Sequence, residues 1–231
     1  MNGTTHMAVG GMVGGVTIAA AVAARTLSFD FFGYEIYPLV VTAAGAIGGL
    51  APDVDIAHSR AGRFLRKFLR ISLISSAIFM MVMFFLPHTG IAFLDGAAEV
   101  GATLDRGFAP ILAAFSILTI AIIEKSKHRG FTHSIPGLGL VSFPLLFMLV
   151  TGVMFVGANI AVSAQLGFVA GWFSHMVIDT FNTRGIRWLW PITKKRFRLM
   201  KITTGSANED RFLVFCVVVF VCVYGMVLVG V

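Results

Sequence analysis

Apolar residues run in long blocks along this chain, and the polar ones gather at the block edges. Residues 7–24, 36–52, 71–87, 108–123, 135–155, 160–178 and 212–230 form such blocks. Each approaches the ~20 residues a helix needs to span a bilayer. The pattern predicts an all-α fold: a polytopic membrane helical bundle of about seven transmembrane helices, built as a single membrane-embedded domain over residues 1–231. The longest polar stretch, 179–211, leaves room only for a short amphipathic piece. The first block reads as a retained helix. Ala21-Val22-Ala23-Ala24 looks like a cleavage site, but Met1 to Met7 carries no Lys or Arg, so the basic start of a signal peptide is missing.

Composition strengthens the membrane reading. The chain is 57% hydrophobic and 13% charged, with a mean hydropathy of +0.88. A soluble domain carries about 25% charged residues. The net charge of +7 therefore bears on orientation, and no nucleic-acid partner is expected. Of the 18 Lys and Arg, all but Arg25 and Arg106 lie in the loops after the second, fourth and sixth blocks. The alternate loops carry Asp30, Glu35, Asp95, Glu99 and Asp105. Because basic residues collect in cytoplasmic loops, the N-terminus is expected inside and the C-terminus outside, in the cell's inner (plasma) membrane. Trp188 and Trp190, beside Pro191, are expected as anchors at the inner interface. Cys216 and Cys222 face different ways on one helix and are read as packing residues.

Small residues recur every four positions on three blocks, each row leading to a polar side chain. The rows are His6, Gly10, Gly14; Gly45, Gly49, Asp53; and Gly167, Gly171, His175, Asp179. Residues four apart lie along one helix face, and small faces let helices approach closely in lipid. The first, second and sixth blocks are thus expected to pack tightly, with a polar cup at their cytoplasmic end. Five of the six histidines fall on that side, His88 being the exception.

The candidate metal ligands are His6, Asp53, Asp55, His58, His128, His133, His175 and Asp179. Imidazole with carboxylate suits zinc, manganese or iron, and the number of donors suffices for two or three ions. Each residue also has a plainer reading. His6 and His58 could be solvated, and Asp53-Val54-Asp55 after Pro52 could simply end a helix. Glu209 could cap the last helix, and Arg129 could obey the charge bias. Thr132 or Ser134 is a candidate cap for the fifth block. The run from Lys194 to Lys201 reads as a membrane-surface segment drawn to anionic headgroups.

With these residues in view, the sequence resembles the YdjM-type family of predicted membrane-bound metal-dependent hydrolases. The resemblance rests on His6, on Pro52-Asp53-x-Asp55 with His58, and on the stretch His128-Arg129-Gly130-Phe131-Thr132-His133-Ser134. It extends to His175-x-x-x-Asp179 and to Thr204-Gly205-Ser206-x-x-Glu209. A more distant similarity is to the zinc phospholipase C and P1 nuclease group, although the His128 to His133 spacing departs from that group's His-x-x-x-Asp elements. The resemblance implies metal-dependent hydrolysis, and the distant one phosphodiester chemistry.

The expected function is hydrolysis of a lipid phosphoester at the cytoplasmic interface. One of Asp55, Asp179 or Glu209 would act as general base, and Arg129 would hold the phosphate. A metal- or proton-coupled transporter is the first alternative, but its ionisable groups should lie near the bilayer midplane, and the blocks are almost free of charge. A non-catalytic scaffold with a vestigial site is the second.

Overall fold

The computed structural model describes residues 3–23, 29–55, 108–125, 130–142 and 157–229, with scattered positions between 63 and 78. Helices dominate it. In chain order they are α1 (Gly3–Ala23), α2 (Pro38–Leu50), α3 (Phe108–Lys125), α4 (Ala158–Asp179) and α5 (Ala207–Val229). Short 3-10 turns cover Ala51–Asp55 and Phe131–His133, and residues 135–142 are helical. The expected blocks at 7–24, 36–52, 108–123, 160–178 and 212–230 coincide with these five helices. The blocks at 71–87 and 135–155 fall largely outside the described residues. Among the described residues one helix, Asn159–Asp179, is long and apolar enough to cross a membrane.

A small antiparallel hairpin, β1 (Phe29–Phe31) with β2 (Tyr34–Ile36), joins α1 to α2 and departs from an all-helical reading. Its turn residues Phe32 and Gly33 both have positive φ, 52° and 82°. That backbone matches the twist of a two-residue hairpin. Pro38 then opens α2, where a missing N–H costs nothing.

The centre of the fold is α2 wedged between α1 and α4. α1 runs antiparallel to α2: a β-carbon added at Gly10 would overlap the Gly45 carbonyl oxygen, and one at Gly14 would overlap Thr42. α4 runs parallel to α2, since Gly167 meets Val41 and Gly171 meets Gly45. No side chain fits between these backbones, which is why the rows of small residues are needed. The C-termini of α2 and α4 therefore finish at one end, together with the N-terminus of α1. The hairpin sits at the other end, where the Glu35 N–H donates to Asn159 Oδ1 (3.2 Å) and the Tyr37 N–H to Ser163 Oγ (2.9 Å).

Under the first end lies an apolar core of Leu73, Leu138, Val141, Phe168, Trp172 and Met176, joined by Ile186. Residues 180–206 contain no helix. This segment folds back on itself through bridges Asn182 to Ile202 and Ile186 to Phe197. The Leu199 N–H donates to the Thr180 carbonyl (2.8 Å), so the basic run is stitched to the chain just after Asp179. The expected amphipathic piece is thus a paired loop. Its turns, including Gly185 at φ 60°, rule out helical hydrogen bonding there.

Candidate metal centre

Five of the expected residues converge where α1, α2 and α4 end. His6 comes from the first turns of α1, Asp53 from the 3-10 turn after α2, His133 from the second 3-10 turn, and His175 and Asp179 from the last turns of α4. All are buried except Asp53, which is 17% exposed and opens the group to one side.

The core of the group is a triangle. His133 Nε2 and His175 Nε2 are 3.2 Å apart, and Asp53 Oδ1 lies 3.6 and 3.7 Å from them. A point about 2.0 Å from all three atoms lies at its centre, the distance zinc takes to imidazole nitrogen and carboxylate oxygen. Asp179 Oδ2 lies 3.6 Å from His133 Nε2 and 3.9 Å from His175 Nε2, so it closes the group as a fourth donor. Asp179 Oδ1 turns the other way, 3.4 Å from His6 Nε2. The His6 ring stacks on that of His175, with centroids 3.6 Å apart.

Hydrogen bonds set which nitrogens carry protons. His175 Nδ1 is 2.7 Å from the Gly49 carbonyl oxygen. A carbonyl only accepts, so Nδ1 bears the proton and the Nε2 lone pair of the neutral ring faces the triangle. Gly49 can offer its carbonyl there because α1 and α4 both press against the small face of α2. His133 Nδ1 lies 3.0 Å from Thr132 Oγ1, which can hold that ring in the same tautomer. The Thr132 carbonyl in turn accepts from Trp172 Nε1 (3.1 Å). Burial raises the Asp53 carboxyl pKa, but the His133 imidazole beside it, followed by His175 and His6, outweighs that and holds it well below the usual carboxylate range.

The His133 loop is braced from several sides. Ser134 is the cap expected for the following helix: its Oγ accepts the Gly137 N–H (3.1 Å) and donates to the Phe131 carbonyl (2.7 Å). The Ile135 N–H donates to the Trp188 carbonyl (2.8 Å), and Trp190 sets its ring edge-on to Phe131. The two tryptophans expected as interface anchors thus also pack around the site loop. Chain separation hid this, since these contacts join residues far apart in sequence.

Of the remaining expected residues, His58, His128 and Arg129 lie outside the described residues, as does the side chain of Asp55. Glu209 is buried, and the bonds of its carboxylate run to α1 and to the turn before α5. Its Oε1 accepts from Thr5 Oγ1 (3.1 Å) and its Oε2 from the Gly205 N–H (2.6 Å). Thr5, Gly49 and Trp172 carried no sequence signal as site residues. Only the position of Thr5 beside His6, and of Gly49 four before Asp53, hinted at them.

The model of the YdjM inner membrane protein family matches residues 1–231. The chain belongs to that family. The uncharacterized protein YvsG of Bacillus subtilis is 24% identical over 202 residues, covering 87% of this chain and 88% of its own. The inner membrane proteins YdjM of Escherichia coli and Shigella flexneri are each 37% identical over 98 residues, 41% of this chain and 44% of theirs. No solved structure matches. Family membership assigns the chain to the inner membrane and a lipid bilayer environment.

Proposed function

We propose that this protein is a membrane-embedded, metal-dependent hydrolase that cleaves a lipid phosphoester at the cytoplasmic face of the inner membrane. The observation that carries the reading is the convergence of His133 Nε2, His175 Nε2 and Asp53 Oδ1 at 3.2–3.7 Å, with Asp179 Oδ2 beside them. Two imidazole nitrogens and two carboxylate oxygens form a donor set for zinc, with manganese or iron as substitutes. The outer hydrogen bonds to Gly49 and Thr132 are the kind that orient ligating histidines.

The donors support two ions. His175 offers a single nitrogen, because Nδ1 is committed to Gly49. Asp179 has two oxygens aimed at different histidines and can bridge. The first ion would take Asp53, His133, His175 and Asp179. The second would take His6 and the other oxygen of Asp179, completed from among Asp55, His58 and His128. Bound divalent ions supply positive charge to phosphoryl oxygens and acidity to a water molecule.

The chain's own residues do the rest. Asp53, the partly exposed donor among the described residues, marks the side from which a phosphate enters. The paired loop bearing Lys194, Lys195, Arg196 and Arg198 begins directly after Asp179 and attracts anionic headgroups to that mouth. Arg129, next in sequence to His128, is the arginine we assign to the phosphate. Asp55 is the favoured general base, because Asp179 is shared between histidines and both Glu209 oxygens already accept hydrogen bonds.

The directions of α1, α2, α4 and α5 are those that the first, second, sixth and seventh of seven alternating spans would take. α2, α3 and α4 correspond to the second, fourth and sixth apolar blocks, and α2 and α4 run parallel. α1 and α5, the first and seventh, both start at the site end. The test is elemental analysis of the detergent-purified protein beside His175→Ala, followed by a panel of phospholipids. Two transition-metal ions per chain, lost with activity in the variant, are expected. A protein that binds no metal, and takes up none when zinc or manganese is added, refutes the reading.

A further inference from the structure

The stretch Thr204-Gly205-Ser206-x-x-Glu209 ends in a carboxylate whose hydrogen bonds run to Gly205 and Thr5. Glu209 sits at the third position of α5, three after Ser206, the spacing of a capping box. In that motif the glutamate reaches back to the cap residue's own N–H. Here Oε2 reaches one residue further, to the Gly205 N–H at 2.6 Å, and Gly205 takes φ 77° to present it. The Glu209 N–H donates instead to the Ser206 carbonyl (2.8 Å). This arrangement leaves Oε1 for Thr5 Oγ1, on another helix and 204 positions away in sequence.

Thr5 immediately precedes His6. Glu209 is only 1% exposed, and so is His6. A capping acid has no need of burial, and burying a carboxylate is costly unless hydrogen bonds satisfy it. Here those bonds hold the start of α1. Further along, Val9 of α1 and Phe212 of α5 pack around Ile178 and Ile202, so α1, α4 and α5 meet beneath the link. His6 Nδ1 is buried with no hydrogen-bond partner among the described residues. Unlike His175, it therefore has no carbonyl to fix its ring. Its placement depends on stacking against His175, on Asp179 Oδ1 at 3.4 Å from its Nε2, and on the backbone that carries it.

We infer that Glu209 is a positioning residue, which clamps the N-terminus of α1 to that of α5 and so holds His6 against Asp179. It is neither a metal ligand nor the general base. The clamp itself rests on hydrogen bonds alone; its consequence for the second ion rests on the metal-site reading above.

The two roles separate under conservative substitution. In Glu209→Gln the amide oxygen still accepts the Gly205 N–H, and the amide nitrogen donates to a Thr5 hydroxyl that rotates to accept. The clamp survives while basicity is abolished. In Glu209→Ala both links are lost. The experiment is diethylpyrocarbonate modification of the detergent-purified, metal-stripped full chain, read per histidine by peptide mass spectrometry. His133 and His175 serve as internal references. In wild type and Glu209→Gln all three histidines stay protected. In Glu209→Ala the His6 rate rises about tenfold or more, as expected when hydrogen bonds to a charged group no longer oppose local opening, while the reference histidines stay protected. Unchanged His6 protection in Glu209→Ala overturns the inference, and so does simultaneous exposure of His175, which would make the effect global.

A second measurement, metal content after reloading with zinc, should give one ion fewer in Glu209→Ala and the full count in Glu209→Gln. In a His6→Ala background, Glu209→Ala should remove nothing more. If wild type takes up no metal, the hydrolase reading fails, and the His6 footprint still decides the clamp.

Discussion

A metal-binding imidazole must offer one particular nitrogen, and at this site the second nitrogen's partner makes the choice. For His175 the partner is a backbone carbonyl, Gly49, at 2.7 Å. For His133 the second nitrogen lies 3.0 Å from the Thr132 hydroxyl, which can accept its proton. The first partner cannot be deleted by changing a side chain, but the second can. Thr132→Val keeps the volume and removes the oxygen. We expect it to weaken zinc binding about 10–100-fold, the usual cost of losing such an orienting bond. Competition with a chelator of known affinity would measure this, and an unchanged affinity would exclude Thr132 from orienting the ring. The same reasoning explains why a histidine–aspartate count was an incomplete guide to the site. Asp53, His133, His175 and Asp179 were readable as donors, whereas the atoms that aim them, in Gly49 and Thr132, belong to residue types with no ligand chemistry of their own.

At the scale of elements, the site depends on how closely three helices approach. The Gly171 and Gly45 backbones touch, so a β-carbon at Gly171 would overlap the Gly45 carbonyl oxygen. Relief requires α4 to move away from α2, which carries His175 and Asp179 away from Asp53. Overpacking of this kind costs about 1–3 kcal/mol or more. Gly171→Val should therefore lower the melting temperature in detergent and abolish metal binding together. Gly225 in α5 is the control: among the described residues nothing lies within 4 Å of a β-carbon there. Gly225→Ala should leave both properties at wild-type values, and loss of metal in that variant would break the link between helix approach and site assembly. The spacing of four between glycines made this packing legible in advance. The hairpin after α1 was not, because Phe29–Phe31 and Tyr34–Ile36 are too short to stand out beside long apolar blocks.

At the scale of the whole molecule, all described site residues sit at one end and the hairpin at the other. Under the proposed topology the basic paired loop faces the cytoplasm and the hairpin faces outward. Single cysteines placed at Lys195 and at Asp30, in a protein lacking Cys216 and Cys222, should label from opposite sides with a membrane-impermeant maleimide. In intact cells only the Asp30→Cys protein should react. Labelling of both positions from outside would refute the orientation and, with it, a site that opens to the cytoplasmic leaflet.

Long apolar blocks, their small-residue rows and the lopsided placement of Lys and Arg are properties of the linear chain. Helix positions at α1 to α5 could therefore be read directly, as could His6, Asp53, His133, His175 and Asp179 as candidate donors. Partner choice could not. Whether Asp179 divides its oxygens between His6 and the His133–His175 pair depends on where separate helices end in space. So does the pairing of Glu209 with Thr5 across 204 positions. Hydrogen bonds act over about 3 Å, and only packing brings such distant residues within that range.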